Sequence, residues 1–252
     1  MTQNDELKLL LSKADDAVTI SENKYMVKSV GFLTPAERVF IEKNVKRPVG
    51  GRIIWFGGYS DAERMLMLAV PEYISDEEVE AEVSALLIRA RNLSEMSHRD
   101  FLGSLMGLGI KREMVGDILV LEDRSIIFVR SEIKEYILTN LEKIGRHGIE
   151  IQSCQPNEVK IPQKQTEEID GTVAGIRLDS VLSVALRTSR SRAAELITGG
   201  LVSLNWEETD NVSKGLSEGD VISVRGKGRF KVSRIGGLTR KGRYSISVER
   251  YI

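Results

Sequence analysis

The chain has 252 residues, and its 36 basic and 37 acidic side chains give a formal charge of −1. With 41% hydrophobic and 29% charged residues, it has the composition of a globular protein, which excludes a chain that is disordered throughout. The near-neutral total also argues at first sight against an electrostatic nucleic-acid binder.

The chain is poor in residues that bind metals or form disulfides. It has one cysteine, Cys154, and two histidines, His98 and His147, which are too few for an internal disulfide or a Cys/His cluster with metal-ligand spacing. No apolar run approaches the roughly 18 residues of a membrane-spanning helix. We therefore expect a cytoplasmic protein with no metal, no cofactor and no membrane partner.

The total charge hides an asymmetry along the chain. Residues 1–75 carry ten cations and ten acids, residues 76–169 have a net charge of −6, and residues 170–252 have a net charge of +5. Eight cations of the last segment fall within residues 225–243, which contain no Asp or Glu. Their alternation with glycines and β-forming residues predicts a basic hairpin ribbon, and the alternative is a solvated face that binds nothing.

The first segment, residues 1–75, has the pattern of a small α+β domain. Leucines at helical spacing predict a helix over residues 4–14, and an N-cap, a proline and a capping-box acid at 34–37 predict the start of a second helix. Residues 52–56 and 65–70 are apolar and favour strands. The glycine pair that follows the first of these strands predicts a turn.

The middle segment, residues 76–154, shows the order strand, helix, strand, strand, helix, strand. These elements are predicted at 79–91, 97–106, 117–121, 125–129, from Ser131 to before Gly145, and at 149–153. For residues 79–91, periodicity alone leaves a helix as the alternative to a strand. The order is that of the βαββαβ plait found in RNA-recognition (RRM-like) domains and in many unrelated proteins. Because Phe128 is the only aromatic residue on the central hairpin, the usual platform for stacking RNA bases is missing.

The last part of the chain begins with a predicted linker. Residues 155–170 contain two prolines and no apolar periodicity, which is typical of a linker. Residues 171–252 then start with two short amphipathic helices, which the apolar stripes at 178–185 and 193–197 predict to pack on a small sheet. We therefore predict an α+β protein with three domains.

The second of these short helices has features of an anion site. Ser189 is its predicted N-cap, and Arg190 and Arg192 lie in its first turn. Free backbone N–H groups and the helix dipole favour an anion there, and guanidinium groups match the geometry of phosphate oxygens. Together with the basic ribbon, they predict contact with the phosphate backbone of a structured RNA.

The same segment resembles the S-four (S4) RNA-binding domain, named after a ribosomal protein of the bacterial small subunit. The shared pattern is R-L-D-x-x-L at 177–182, S-R-x-x-A-x-x-L-I-x-x-G-x-V at 189–202 and G-D-x-I at 219–222. One departure is Trp206, which follows Leu204-Asn205 where a small glycine is usual. We expect this departure to alter the turn without changing the domain.

A second resemblance covers residues 98–118, HRDFLGSLMGLGIKREMVGDI. This stretch is similar to the central segment of the bacterial YlmH family of RNA-binding proteins, in which a plait-type middle domain precedes a C-terminal S4 domain. The resemblance implies association with the ribosome or ribosome-bound tRNA, the handling of stalled large-subunit complexes and a link to cell division. The implied partners are ribosomal RNA or tRNA, with a possible protein partner for the acidic middle domain.

The two resemblances and the charge pattern select the candidate site residues. Those predicted to bind RNA in the last domain are Arg177, Arg187, Arg190, Ser191, Arg192, Lys214, Arg225, Lys227, Arg229, Lys231, Arg240, Lys241 and Arg243. In the middle domain the candidates are His98, Arg99, Lys111 and Arg112. For His98, the alternative role is to cap the start of a helix.

Enzymatic alternatives find little support. His98-Arg99-Asp100 matches the start of a kinase catalytic loop, but Leu105 stands where that loop has Asn and no Gly-rich nucleotide loop precedes it. A pseudouridine synthase needs a catalytic Asp in an R-L-D context, and the R-L-D at 177–179 already belongs to the S4 pattern. We expect a protein that is not an enzyme; the alternatives are an RNA-modifying enzyme and a protein-docking adaptor that its S4 domain localises.

Overall fold

A computed structural model describes residues 2–161 and 166–251. The chain divides into two compact units, Met1–Lys160 and Ile161–Ile252. The first two predicted domains both fall within the first unit. None of the described helices is long and apolar enough to cross a membrane.

The N-terminal part of the first unit packs two helices on a three-stranded antiparallel sheet. Its elements are α1 (Gln3–Lys24), β1 (Lys28–Leu33), α2 (Pro35–Asn44), β2 (Gly51–Phe56) and β3 (Met65–Pro71), and the sheet order is β1-β3-β2. The predicted capping box starts α2, since Glu37 N–H donates to Thr34 Oγ1 and the Glu37 carboxylate accepts from Thr34 N–H.

Helix α1 is longer than the predicted 4–14. Its apolar face continues through Ala14, Ala17 and Val18, all of which are buried in the core of this part. Ser21 is also buried, and its hydroxyl donates to the carbonyl of Ala69 on β3. Because its hydroxyl is hydrogen-bonded, Ser21 can be buried, and the buried face of α1 extends beyond the leucines that the sequence pattern identifies.

The second part of the first unit has two main helices on a four-stranded antiparallel sheet. Its elements are α3 (Asp76–Glu80), β4 (Val83–Arg89), α4 (His98–Gly107), β5 (Val115–Val120), β6 (Ser125–Arg130), α5 (Lys134–Asn140), β7 (Lys143–Ile144), β8 (His147–Gly148) and β9 (Glu150–Cys154). The sheet order is β5-β6-β4-β9, and β7 pairs only with β8. Phe101, Leu105 and Ile137 of the helices pack against Leu86 and Ile127 of the sheet.

The predicted strand 79–91 is wrong at its start. Residues Asp76–Glu80 form α3 instead, with Ser75 as N-cap and three acids in the first turn. Acidic side chains stabilise the positive end of a helix, and this local effect decides the conformation before the strand begins at Val83. The helix predicted from Ser131 is a short 3-10 turn followed by α5, and Gly145 lies in the hairpin between β7 and β8.

The face of this sheet opposite α4 and α5 is covered by the segment between β2 and β3. Ile127 and Val129 belong to the helix-side core, so alternation along β6 directs Phe128 to the other face, where it is fully buried. Tyr59 stacks on Phe128, and the Tyr59 hydroxyl donates to Asp117 Oδ2 at 2.7 Å. Burial, followed by the charge of Asp117, raises the pKa of Tyr59. The two parts of the first unit are therefore joined through the sheet face.

The second unit packs two helices on a six-stranded antiparallel sheet. Its elements are β10 (Thr166–Val173), α6 (Leu178–Ala185), α7 (Arg190–Thr198), β11 (Val202–Leu204), β12 (Glu207–Glu208), β13 (Val221–Val224), β14 (Gly228–Leu238) and β15 (Tyr244–Tyr251), and the sheet order is β10-β15-β14-β13-β11-β12. Leu178, Leu182 and Ile197 of the helices share a core with Ile222 and Val232 of the sheet.

The predicted linker 155–170 needs a correction at both ends. Pro156–Glu158 form a 3-10 turn, and residues 166–170 are the first part of β10, which pairs with β15 along its whole length. The pairing partner is about 80 residues away in the sequence, so local composition gave no sign of this strand. Residues 162–165 of the predicted linker lie outside the described residues.

Candidate nucleic-acid interface

A buried carboxylate holds two arginines at the start of the two helices of the second unit. Asp179, in the first turn of α6, is only 4% exposed. Its oxygens accept from Arg177 Nε at 3.3 Å and from Arg177 Nη2 at 3.4 Å, and Arg190 donates to Oδ2 through Nε at 3.2 Å and also through Nη2. Both arginine side chains remain about half exposed. Two guanidinium groups on one carboxylate leave a net positive, oriented pair at the surface.

The ionised form of Asp179 is the stable form. Burial alone would raise its pKa, but the hydrogen bond from Arg190 and the charges of Arg190 and Arg177 outweigh burial and leave the pKa below its ordinary value. The backbone N–H of Ser180 also donates to Asp179 Oδ1 at 2.9 Å. The arginine pair is therefore held by a permanent negative charge at neutral pH.

The other candidates on the helices have different surroundings. Ser189 caps α7 as predicted, since the backbone N–H of Arg192 donates to its hydroxyl. The Arg192 side chain pairs with Glu195 at 2.6 Å and is 64% exposed, and Ser191 is exposed beside it. Arg187 pairs with Glu167 at 2.8 Å. The structure thus separates Arg190 from Arg192, which the sequence grouped as one phosphate site.

Lys214 lies next to the arginine pair through its backbone. Its carbonyl accepts from the backbone N–H of Leu178 at 2.8 Å, and the next residue, Gly215, forms an isolated β-bridge with Arg177. The Lys214 side chain is exposed. This loop therefore brings a third cation to the start of α6.

Five of the eight cations of the basic run 225–243 lie in two turns, and Arg229, Lys231 and Arg234 lie on the strand between those turns. Residues 225–227 connect β13 to β14, and residues 239–243 connect β14 to β15. Strand β14 has 11 residues, so at about 3.3 Å per residue the two turns lie roughly 30 Å apart. The run forms strands and turns as predicted, with a group of cations in each turn and three more along the strand that joins them.

The β14–β15 turn belongs to the helix-start end of the sheet. Arg243 donates through Nε to Thr172 Oγ1 at 3.0 Å and through Nη2 to the Thr172 carbonyl at 2.6 Å. Thr172 is near the end of β10, from which the chain leads directly to Arg177. Arg240 and Lys241 are exposed at the tip of the turn.

The β13–β14 turn lies at the other end, beside the end of α7. The backbone N–H of Arg225 donates to the carbonyl of Leu201, which follows that helix. Arg225 and Lys227 are exposed there, and Arg225 and Arg229 line a cavity of about 410 Å³. Further along β14, Lys231 lies opposite Glu249 of β15.

The middle-domain candidates do not form one group. His98 and Arg99 are exposed in the first turn of α4, and Lys111 is exposed before β5. Arg112, in contrast, donates through Nη1 to the carbonyls of Val115 and Gly116. Burial, followed by the charge of Arg64, lowers its pKa to about 10. These contacts favour a structural role for Arg112.

Asp220 of the S4 pattern makes a polar contact with Asn205, which precedes Trp206. Asn205 Nδ2 donates to Asp220 Oδ1 at 2.8 Å, and Asn205 Oδ1 accepts from the backbone N–H of Val221 at 2.9 Å. Trp206 has φ 64° and Asn205 has φ 49°, so this turn keeps the left-handed conformation without glycine. The roles of Asp179 and Asn205 were missed, although Asp179 belongs to the R-L-D motif and Asn205 precedes the departure at Trp206. Among the described residues, no group of three or more His, Cys, Asp or Glu side chains could hold a metal ion.

Comparisons with known proteins identify two RNA-binding domains in the chain. A family profile described as "Putative RNA-binding domain in YlmH" matches residues 78–158, and the S4 domain profile matches residues 176–222. The whole basic run 225–243 lies beyond the S4 match. The chain is 33% identical over 232 residues to the ribosome-associated protein quality control protein P2 of Bacillus subtilis (strain 168), and the match covers 92% of this chain and 90% of that protein.

A solved structure shares the fold of part of the chain. It is described as cell division protein ylmH from Streptococcus pneumoniae, and the two superpose with a TM-score of 0.53. The superposition covers 64% of this chain and 97% of that chain, at 24% sequence identity. At this level of identity the likeness shows a common fold.

Proposed function

The chain belongs to the YlmH family, and we propose that it is a non-catalytic RNA-binding protein of the translation apparatus, associated in the cytoplasm with the ribosome or ribosome-bound tRNA. The proposal includes a role in handling stalled large-subunit complexes, which the name of the Bacillus subtilis relative supports. A link to cell division is supported by the description of the Streptococcus pneumoniae structure.

The observation that carries the proposal is the arginine pair on Asp179. It lies within the S4 match, at the start of a helix, with both guanidinium groups about half exposed. Oriented guanidinium groups suit phosphodiester oxygens, and such contacts position a protein on RNA without selecting its sequence. We infer that Arg177 and Arg190, with Lys214 and the β14–β15 turn, contact the backbone of structured ribosomal RNA or tRNA.

The proposed domain layout keeps an N-terminal α+β domain (1–75) and an RRM-like plait (76–154), and it extends the S4 domain (171–252) back to residue 166 so that it includes the whole of β10. In the plait, the sheet face that would stack bases is occupied by Tyr59 on Phe128. Any RNA contact of this acidic domain would then use local cations such as Arg99 and Lys111, and its other surfaces are candidates for a protein partner.

The experiment compares RNA affinity and its salt dependence in the full chain. The variant R177A/R190A should bind ribosomal RNA more weakly and lower the slope of log K against log salt by roughly one to two units. The matched control is R89A/R91A, which removes two exposed charges from the first unit. If both folded variants bind RNA with equal affinity and equal salt slope, the assignment of the site is wrong.

The non-catalytic part of the proposal has its own test. Purified protein is incubated with ribosomal RNA and with tRNA, and modified bases are mapped by sequencing. We expect no new modification. A modified base that depends on the protein would favour the RNA-modifying enzyme.

A further inference from the structure

Three loops of the N-terminal part expose apolar side chains on one surface. Tyr25 is 71% exposed, Met26 47%, Val49 97% and Tyr73 65%, and we call these four residues the tyrosine patch. They account for four of the seven large hydrophobic side chains that are exposed in the described part of the chain. Exposed apolar groups concentrated in this way mark interaction sites, whereas scattered ones do not.

Hydrogen bonds hold the three loops together. The Tyr73 hydroxyl donates to the carbonyl of Tyr25, which links the loop after β3 to the end of α1. The backbone N–H of Val49 donates to Glu22 Oε1 at 2.5 Å, and the backbone N–H of Glu72 donates to the carbonyl of Gly50 at 3.4 Å. Each loop is therefore bonded to another loop or to α1, so the two tyrosine rings are presented from a defined framework.

The charge around the patch is positive. Together with Glu22, whose carboxylate binds the backbone of Val49, residues 23–28, 45–50 and 72–75 contain four cations and two acids, a net charge of +2. The cations are Lys24, Lys28, Lys46 and Arg47, all of which are exposed. The whole of residues 1–160 carries 21 cations and 26 acids, so the patch is a local reversal of the charge of its unit.

We propose that the tyrosine patch is a second RNA-binding surface, which takes unpaired nucleotides. Tyr25 and Tyr73 would stack on bases, and Lys24, Lys46 and Arg47 would contact the adjoining phosphates. Aromatic rings in a cationic setting are the usual means of binding single-stranded nucleic acid without sequence preference. Tyrosine and methionine are also common in protein interfaces, but three of the four cations are lysines, which are depleted there, so the charge of this surface favours RNA. This surface lies in the first unit, whereas the contacts of the proposed function lie mainly in the second.

The test uses the full chain and a fluorescent single-stranded oligouridylate of about a dozen nucleotides, within the usual site size. Binding is measured in the R177A/R190A background, so that the helix-start site contributes little. Y25A/Y73A should bind at least about tenfold more weakly than this background, because each stacked base contributes substantially. Y25F/Y73F should retain most of the affinity, because it keeps both rings.

The matched control is Y136A. Tyr136 is 49% exposed in the same unit, and its hydroxyl also donates to a backbone carbonyl, that of Leu108. This variant should bind as the background does, and K46A/R47A should lower the salt slope by roughly one to two units.

Several outcomes would overturn the proposal. Unchanged oligouridylate binding by folded Y25A/Y73A is one, and an equal loss in Y136A is another. A crosslink from the patch to a protein, without any crosslink to RNA, would assign the surface to a protein partner instead. If RNA binding changes in R177A/R190A but not in the variants of the tyrosine patch, the proposed function stands and this inference is wrong.

Discussion

The ring of Tyr59 stacks on the ring of Phe128, with 5.0 Å between the centroids and 27° between the planes. The contact is reinforced by Gly58, which lies directly against Phe128. In an RRM-like plait the central strands carry aromatic residues that stack RNA bases. Here the one aromatic residue of the hairpin is used inside the protein to join the two parts of the first unit.

Substitution of Gly58 tests this junction. Gly58 has φ +95°, and a Cβ there would lie 2.3 Å from Phe128 Cδ1. Gly58→Ala should lower the free energy of unfolding by about 3 kcal/mol, from left-handed strain plus overpacking. Gly109→Ala is the control, because Gly109 has φ +79° but open space around a Cβ, so we expect a loss of about 1 kcal/mol. The free energies of unfolding are measured by urea denaturation. An equal decrease in both variants would show that the contact with Phe128 does not contribute to the cost of Gly58→Ala.

Local patterns predicted local structure well, and long-range contacts account for what they missed. The capping box at Thr34 starts α2, Ser189 caps α7, and the apolar stripes of α6 and α7 are where the sequence places them. The stacking of Tyr59 on Phe128 joins residues that are far apart in the chain, and no local sequence pattern predicts it. The first part of β10 was missed for the same reason, because its pairing partner, β15, is distant in the sequence.

The candidate site was predicted by residue type more than by arrangement. The arginines of the S4 pattern were identified, but the phosphate site was expected to join Arg190 with Arg192. The structure pairs Arg190 with Arg177 on Asp179 and leaves Arg192 with Glu195. A motif gives spacing along the chain, whereas the choice of ion-pair partner depends on which helix ends meet.

The pKa of Asp179 predicts how pH acts on the second unit. Its folded-state pKa lies below the ordinary value of 3.8, so its stabilising contribution is present above about pH 4 and is lost as the pH falls through the folded-state pKa. Asp179→Asn should lower the free energy of unfolding by about 2 kcal/mol at pH 7, because bonds to a buried charge are lost. The difference from wild type should shrink in acid.

The measurement is urea denaturation of wild type and variant at pH 7 and pH 3. Glu195→Gln is the matched control, because it removes the charge from an exposed ion pair with Arg192. Exposed pairs contribute little, so we expect a change below about 1 kcal/mol. A difference between wild type and Asp179→Asn that is the same at both pH values would contradict the role assigned to the ionised carboxylate.

The separation of the two cationic turns predicts a dependence on RNA length. Arg240 and Lys241 lie at the end of the sheet that adjoins Arg177, whereas Arg225 and Lys227 lie roughly 30 Å away at the other end of β14. R240A/K241A should therefore weaken binding both to a short RNA hairpin and to a long one. R225A/K227A should weaken binding only to an RNA long enough to reach both ends, with a salt slope lower by roughly one to two units. Fluorescence anisotropy with the two RNAs distinguishes the cases, and equal losses for both variants on the short hairpin would mean that the basic run acts as one patch.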